Sequence, residues 1–471
     1  MKQDQGFYNE EKLPMVGGTE FGRYEKISSE STYNMIISDN WLVPFAGYQQ
    51  VLELDPTGQG RGIYASGRYN IMLVVVDDNV WVISTNINKT FGGNIGTFTG
   101  DVYIASNNRG QFAISDQNKI YIYDIATNTT VASDALFRPG HLSFQNDRFI
   151  CADLDSNKWR LSKIGDGLFW PGDAQHVSAI RTKPDKAQIT VPIPGRGNTL
   201  LVMGKSVGEL WTDIGAQLFP YQRSTSANLD FGCVNPSSFA ESTNIIAWLS
   251  SNDKSGYSIM MSDGGTPQKI SNDGIDFKLS QLQNPADSYA MFFRQDGHLI
   301  FMLTFVTDNI TWCYDFNTKK FFSLSDENLN YFIAKRVVFF NNTYYFVSLI
   351  DGNLYELSTQ YTEYDGKVAP RIRITPNFRL PDQSRFTVGY AGFTTESGIT
   401  DDIQAVELSL SKDGGASFGS VVRKDLKTLG KRQNRLLFWR LGMANDLVLQ
   451  WRFYGKSRFL ATDGVIGVKP A

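Results

Sequence analysis

Several short stretches carry residue types that can bind phosphate or metal ions. Gly204-Lys205-Ser206 has the ending of a phosphate-binding loop, in which backbone N–H groups and a lysine hold the phosphates. The first glycine of such a loop would fall at Thr199, however, and Leu200 to Met203 form an apolar run typical of a strand. A strand cannot wrap its N–H groups around a phosphate, so the sequence predicts a hairpin turn here.

Two other turns have part of the pattern of a known motif. Asp153, Asp155 and Asn157 have the spacing of a calcium loop, but Lys158 occupies the position of the turn glycine and no closing glutamate follows. Ser411 to Phe418 resembles the Asp-box turn of sialidases and other propellers, and it occurs once. We interpret both as polar hairpin turns.

Histidine, on which metal sites and serine-type catalysis usually depend, occurs only at His141, His176 and His298. None has the HExxH spacing or lies near a GxSxG elbow. His298 directly precedes an apolar strand and is interpreted as a strand-end residue. Paired carboxylates are positioned by the fold and not by spacing, and nothing in the sequence points to such a pair. We therefore expect no catalytic residue, no cofactor, no metal site and no enzymatic activity.

The densest positive charge lies between residues 423 and 435, where six basic residues accompany one acid. The six are Arg423, Lys424, Lys427, Lys431, Arg432 and Arg435. One interpretation is a local anion contact, either with the phosphates of passing DNA or with an acidic partner subunit. The other is a solvated hairpin tip. The formal net charge of −3 gives the chain no global basic field, so any contact with DNA must be local.

Composition indicates the class of fold that must position these residues. Aromatic residues make up 13% of the 471 positions and occur beside 42 glycines, which favours short strands and turns and an all-β fold. The three cysteines lack CxxC spacing and fit a reduced protein made in the cytoplasm. The start lacks the apolar stretch of a signal peptide, and apolar runs such as Ile71 to Val76 are far too short to cross a bilayer. We expect no membrane insertion.

A repeated unit suggests the architecture. Tyr-Asp-x-x-Thr occurs at Tyr314 to Thr318 and at Tyr123 to Thr127, each time between two runs of strand residues. The aspartate and threonine can bond the backbone of the turn and close a hairpin. The separation, from position 123 to position 314, would hold about four propeller blades of roughly 40 to 50 residues.

Serial hairpins fill the chain between these copies and beyond them. Their turns lie near positions 78, 117, 155, 206, 253, 308 and 342. This spacing predicts an irregular β-propeller-like body of six or seven blades over residues 32–365, preceded by an extended arm over residues 1–31. A stacked double-sheet structure is the alternative fold.

The series of closely spaced hairpins ends near Gly366, and longer strands with alternating apolar residues follow. They are predicted at Lys367 to Arg379, Phe386 to Phe393, Ala405 to Ser411, Leu436 to Trp439, Leu447 to Phe453 and Val465 to Val468. We expect residues 366–471 to form a C-terminal β-sandwich.

Three passages resemble the tail hub or nozzle proteins of short-tailed phages, also called packaged-DNA stabilisation proteins or tail accessory factors. The first is Tyr33-Asn34-Met35 with Pro44 to Tyr48 and Arg61 to Tyr64, although Phe45-Ala46 departs from the usual Pro-Gly. The second is the series of hairpins. The third comprises Leu408 to Gly415, Phe438 to Gly442 and Leu447 to Phe453.

The resemblance implies a structural virion protein of the tail that needs no active site. Such proteins form a ring, expected to be a hexamer, that continues the DNA channel below the portal and its adaptor. The implied partners are further copies of the chain, the portal adaptor protein, a tailspike or fibre, a tail plug or needle, and packaged double-stranded DNA. A carbohydrate-binding or glycan-cleaving propeller of a tail fibre is the alternative, and a cellular scaffold propeller is a third reading.

Overall fold

Strands dominate the computed structural model, which describes residues 8–23, 30–254, 256–396, 404–426, 433–456 and 459–471. The all-β class predicted from aromatic and glycine content is confirmed. Within these ranges one α-helix is present, α1 (Asp273–Gln281), together with the 3-10 helices Pro236–Ser238 and Pro285–Asp287. No described helix is long and apolar enough to cross a membrane.

The first five strands join sheets whose other strands lie far away in sequence. They are β1 (Asn9–Leu13), β2 (Ser31–Tyr33), β3 (Met35–Ser38), β4 (Trp41–Pro44) and β5 (Gly47–Leu52).

The next strands form antiparallel four-stranded sheets in chain order, which are blades 1 to 4 of a propeller. Blade 1 contains β6 (Gly60–Ser66), β7 (Ile71–Val76), β8 (Asn79–Ser84) and β9 (Lys89–Asn94). Blade 2 contains β10 (Tyr103–Ser106), β11 (Gln111–Ser115), β12 (Ile120–Asp124) and β13 (Thr129–Ala132). Blade 3 contains β14 (Pro139–Gln145), β15 (Arg148–Asp153), β16 (Lys158–Leu161) and β17 (Val177–Ala179). Blade 4 contains β18 (Ala187–Pro192), β19 (Thr199–Gly204), β20 (Gly208–Asp213) and β21 (Tyr221–Leu229).

Three more blades complete the ring, so the propeller has seven. Blade 5 contains β22 (Phe239–Glu241), β23 (Ile246–Asn252), β24 (Gly256–Ser262) and β25 (Gln268–Lys269). Blade 6 contains β26 (Tyr289–Gln295), β27 (His298–Phe305), β28 (Ile310–Asp315) and β29 (Lys320–Leu324). Blade 7 contains β30 (Ala334–Phe340), β31 (Thr343–Ser348) and β32 (Leu354–Ser358), and its fourth strand is β5.

An N-terminal strand therefore closes the ring. Strand β5 pairs antiparallel with β32, with Gly47 opposite Ser358 and Tyr48 opposite Leu357. Seven separate apolar clusters hold the neighbouring blades together, one between each pair of blades. Burying each sheet against its two neighbours explains how so many short hydrophobic strands avoid leaving open edges.

The Tyr-Asp-x-x-Thr unit occupies the same place in blades 2 and 6, at the end of the third strand. The side chain of Asp315 accepts hydrogen bonds from the backbone N–H of Asn317 (2.9 Å) and from the hydroxyl of Thr318 (2.8 Å). The carboxylate of Asp124 accepts one from the N–H of Ala126 at 2.8 Å. The predicted spacing of four blades between the copies is confirmed.

The described residues of the C-terminal region contain nine strands. They are β33 (Glu363–Tyr364), β34 (Lys367–Val368), β35 (Arg371–Ile374), β36 (Phe386–Glu396), β37 (Gln404–Ser411), β38 (Val422–Leu426), β39 (Gln433–Ala444), β40 (Val448–Tyr454) and β41 (Leu460–Pro470). The prediction of one long strand from Lys367 to Arg379 was wrong. Pro370 precedes β35 and Pro376 follows it. Proline has no backbone N–H to donate to a ladder of hydrogen bonds, so the two prolines interrupt the predicted long strand.

Two sheets of the C-terminal region enclose an apolar core that includes Phe438 and Trp451. One sheet has the order β3-β4-β41-β36-β39, with β1 also paired to β41. The other, β35-β40-β37-β38, continues through β2 into the outermost strand of blade 6. Apart from Ser31, strands β2 to β4 fall in the range predicted for the propeller. Strand β2 nevertheless pairs with β35, and the β3–β4 hairpin joins β41 through β4. The division of domains at residues 31 and 365 stays a prediction.

Candidate functional site

A cavity of about 710 Å³ lies on the axis of the propeller. The innermost strands of all seven blades, β6, β10, β14, β18, β22, β26 and β30, contribute to its wall, and we call it the funnel. These strands are in the same position in each blade, so their first residues meet at one end of the funnel and their last residues at the other.

Side chains at the first end form a floor across the axis. The hydroxyl of Tyr103, on blade 2, lies 2.8 Å from the Oγ of Ser237, which immediately precedes blade 5. Ser237 in turn donates to the carboxylate of Asp101, and Lys335 of blade 7 forms an ion pair with Asp101 at 2.5 Å. Blades 2, 5 and 7 are not neighbours, so these contacts span the ring and close the funnel at this end.

The opposite charges of the floor, on Asp101 and Lys335, are paired with each other. Burial opposes ionisation of Asp101, but Lys335 and Ser237 outweigh it and the pKa of this carboxyl lies below its usual value. The Lys335 ammonium also lies 4.3 Å from the ring centroid of Tyr289, a favourable cation–π geometry. A charge-paired network at this position holds the starts of the innermost strands together.

Ionisable side chains of three blades reach the funnel above the floor. They are His141 on β14, Glu241 on β22 and Arg336 on β30. Burial raises the pKa of Glu241, and the positive charge of Arg336 partly offsets this. Burial, with a further contribution from Arg336, lowers the pKa of His141 to about 4. At neutral pH the histidine is therefore uncharged, while its Nδ1 lies 3.2 Å from the carbonyl oxygen of Thr190.

No sequence motif predicted the funnel residues. Apolar residues precede Glu241 and follow Arg336 in the sequence. A charged residue beside an apolar strand segment was the one feature that could have indicated a functional position. They are 95 positions apart, and only ring closure places them in one cavity.

The predicted basic run lies on β38, on β39 and between them. Lys427, Lys431 and Arg432 fall outside the described residues. Arg423 is half exposed and pairs with Asp425 at 3.2 Å and with Glu407 at 3.8 Å.

The other two described members of the run also have partners. Lys424 donates to the carbonyl oxygen of Leu437 and lies over the ring of Phe438, and burial lowers its pKa. Arg435 pairs with Glu10 of the arm at 3.3 Å. The contact with DNA phosphate or an acidic partner stays a prediction.

The other sequence motifs form structural turns. Gly204 ends β19 in the turn before β20, which confirms the predicted hairpin. Asp153 forms an ion pair with Arg160 at 3.2 Å. Asp413 accepts bonds from Ser411 and Ser417, which hold its pKa well below the usual range.

His298, interpreted as a strand-end residue, is the first residue of β27. Its Nδ1 lies 2.8 Å from the carboxylate of Asp315, so it ties the start of β27 to the turn after β28. Among the residues that the structure describes, no three His, Cys, Asp or Glu side chains are grouped so as to hold a metal ion.

The residues that carried the resemblance hold separate parts of the chain together. Asn34, in the left-handed conformation with φ of 56°, donates from Nδ2 to Ser325 and to the carbonyl oxygen of Pro370. Arg61 is buried and donates to the carbonyl oxygens of Gly100 and Asp77, which links the loops of blades 1 and 2. Their role is in assembling the fold.

Comparison with solved structures gives distant similarities. Virginiamycin B lyase from Staphylococcus aureus is 10% identical, with a TM-score of 0.46 over 66% of this chain and 99% of that chain. A streptogramin B lyase is 10% identical, with a TM-score of 0.45 over 68% of this chain and 99% of the other. An ancestral GH74 enzyme is 11% identical, with a TM-score of 0.44 over 75% of this chain and 52% of the other. Such distant similarity carries no functional information.

No curated protein matches the chain. A family model described as "Bacteriophage P22 Gp10, beta-propeller" matches residues 30–362, which is well over half of the sequence. The match covers strands β2 to β32 and so includes the whole propeller. The chain therefore belongs to the phage stabilisation family of bacteriophage P22 Gp10, the β-propeller family of phage tail proteins that its sequence resembles.

Proposed function

We propose that the protein is a structural component of the virion tail whose copies assemble into a ring. This ring continues the DNA channel below the portal and its adaptor, retains the packaged genome and holds the tailspikes or fibres. Family membership over residues 30–362 is the observation that carries the proposal. The number of copies is expected to be six.

The closed funnel constrains how such a ring would work. The bridge from Tyr103 to Ser237 and the ion pair of Asp101 with Lys335 block the axis of each propeller. Double-stranded DNA therefore cannot pass through a single copy, and the proposed channel must lie between copies. The inner surface of that channel would be formed by the outside of the propeller or of the sandwich.

Contacts with DNA in the proposed ring would be independent of sequence. The basic run is the candidate, through Arg423, Arg435 and the three members outside the described residues. Since the described members already pair with Glu10, Glu407 and Asp425, a phosphate would have to compete with these carboxylates. Such contacts would be weak individually and strongly salt-dependent.

The alternative of a glycan-cleaving propeller has less support. Glycosidases of both stereochemical classes normally use two carboxyl groups flanking the scissile bond. Among the described residues that line the funnel above its floor, Glu241 is the one carboxylate, and the carboxylate of Asp101 in the floor is paired with Lys335. A structural role is the better account of this geometry.

Two measurements test the proposal. Mass determination and electron microscopy of the purified protein, alone and with the portal–adaptor complex of the same phage, should reveal closed rings. Particles made without this protein should package DNA and then lose it. A protein that remains monomeric with the portal–adaptor complex, or particles that retain their DNA without it, would contradict the proposal.

A further inference from the structure

We propose that the funnel of the propeller is a binding site for a small apolar molecule that carries an anionic group and a cationic group. The anionic group would bind Arg336 and the cationic group would bind Glu241. This inference is independent of ring assembly, because it concerns the axis of a single copy.

The two charged residues have no protein partner. Arg336 and Glu241 both line the funnel, and within the described part of the chain neither side chain forms a hydrogen bond or an ion pair. Arg336 affects the ionisation of Glu241, so the two are close enough to interact, yet they do not form an ion pair with each other. Arg336 is half-buried and Glu241 is exposed in the open funnel, so both are accessible to a charged molecule that enters it.

A buried hydroxyl in the same wall also has no partner. Ser143 is 7% exposed, and its Oγ has no hydrogen bond in the described structure. It lies two positions after His141 on β14, and both residues line the funnel. Buried polar groups are nearly always bonded, and a ligand in the funnel would supply the missing partner.

The remaining wall is suited to an apolar ligand body. Ile63, Ile104, Phe144, Ile193 and Phe292 all line the funnel. A volume of about 710 Å³ and apolar side chains beside a few convergent polar groups are usual properties of a small-molecule pocket, and polar residues make up the rest of this wall. The floor of Asp101 and Lys335 is already neutralised, so Arg336 and Glu241 determine which charges are accepted.

The charge pattern selects the class of ligand. A carboxylate can take both guanidinium N–H groups of Arg336 in a bidentate pair. A neutral apolar molecule would remove water from both charged groups without replacing it, which is unfavourable. A molecule with one charge would leave the other group unpaired. A dipolar molecule with an apolar body satisfies both.

Three related probes test this directly: phenylalanine, phenylacetate and phenethylamine. They share a ring and differ in carrying both charges, the negative charge or the positive charge. Isothermal titration calorimetry on the full chain should show phenylalanine binding about ten-fold or more tightly than either of the others. Arg336→Gln should weaken phenylalanine and phenylacetate and leave phenethylamine unchanged. Glu241→Gln should weaken phenylalanine and phenethylamine and leave phenylacetate unchanged.

The matched control is Arg68→Gln, which changes an arginine at the surface of blade 1, where it bonds Asn108 and does not line the funnel. It should leave all three affinities unchanged. Equal affinities of the three probes for the wild-type protein, no binding at millimolar concentration, or equal losses in the control and in Arg336→Gln would overturn the proposal. The comparison of probes on the wild-type chain decides the matter even if a variant does not fold.

Discussion

Arg373 on β35 donates a hydrogen bond of 2.8 Å from Nη1 to the carbonyl oxygen of Gly18 in the arm. The same guanidinium donates to the carbonyl oxygen of Met15 at 2.8 Å and to the carboxylate of Glu30 at 2.5 Å. Its side chain is completely buried, which lowers its pKa even though Glu30 opposes the shift. One residue thus ties the N-terminal segment to the sandwich.

Replacing this arginine should destabilise the sandwich strongly. Arg373→Leu leaves buried carbonyl oxygens and the Glu30 carboxylate without a donor, and we expect a loss of about 3–5 kcal/mol in the free energy of unfolding. Arg373→Lys keeps the charge but not the forked donor geometry, so its loss should be intermediate. Urea denaturation combined with hydrogen exchange of the β1 amides measures both effects.

The control for Arg373 is Arg379→Leu, which removes an exposed arginine paired with Asp446. Exposed pairs contribute about 0–1 kcal/mol, so this variant should unfold nearly as the wild type does. Equal losses in Arg373→Leu and Arg379→Leu would contradict the assigned role of Arg373.

Closure of the propeller depends on Tyr48 in β5. Its ring stacks on Tyr364 with centroids 4.7 Å apart and meets Phe346 edge-on at 5.3 Å. Tyr48→Ala should cost about 3–5 kcal/mol, as for other buried aromatic residues. Hydrogen exchange should accelerate in β32 more than in blade 3.

The control is Phe98→Ala, at a residue that is 63% exposed, which should change the free energy of unfolding by no more than about 0.5 kcal/mol. Uniform acceleration in all blades would argue against β5 as the closing strand.

The two copies of the repeated unit should differ in sensitivity. Asp315 is buried, and its carboxylate accepts hydrogen bonds from Asn317, Thr318 and His298. Asp315→Ala removes all three bonds and leaves the buried His298 without this acceptor, so we expect a loss of about 2–4 kcal/mol in the free energy of unfolding. Asp124 is only partly buried, and Asp124→Ala should cost about 1 kcal/mol or less. Thermal unfolding of the two variants side by side checks this order. The reverse order would show that turn position, not burial, decides the cost.

His141 should make stability depend on pH. The unfolded histidine has a pKa of about 6.5, and burial lowers the folded value to about 4. Between these values His141 is protonated in the unfolded chain and neutral in the folded chain. The free energy of unfolding therefore falls as the pH drops from 6.5 to 4. The expected loss is on the order of 2–3 kcal/mol, and His141→Gln should remove it.

Urea denaturation at pH 7, 6, 5 and 4 measures this dependence. Glu241 in the same funnel has a raised pKa and contributes with the opposite sign, so the difference between wild type and His141→Gln isolates the histidine. His176→Gln, outside the funnel, serves as the matched control. A pH dependence that is the same in the wild type and in His141→Gln would refute the prediction.

Local patterns in the sequence predicted much of the fold. Alternation of apolar residues and the chemistry of the turns identified the hairpins, and the spacing between Tyr123 and Tyr314 indicated four blades. The sandwich strands β36, β37, β39, β40 and β41 were also located, whereas β38 was missed because its residues were interpreted only as part of a basic run. Near-matches to phosphate and calcium motifs at Gly204 and Asp153 were correctly assigned to turns. The apolar strand before Gly204 excludes a loop that wraps a phosphate, and the motif at Asp153 lacks the turn glycine and the closing glutamate of a calcium loop.

Only the tertiary structure decided which distant segments pair. Strand β5 closes blade 7 across about 300 residues of chain, and β3 and β4 join the sandwich instead of the propeller. Glu241 and Arg336 share a cavity only because the ring closes around it. Periodicity reports which face of a strand is buried, but the partner of an edge strand is fixed by packing between parts of the chain that local sequence does not connect.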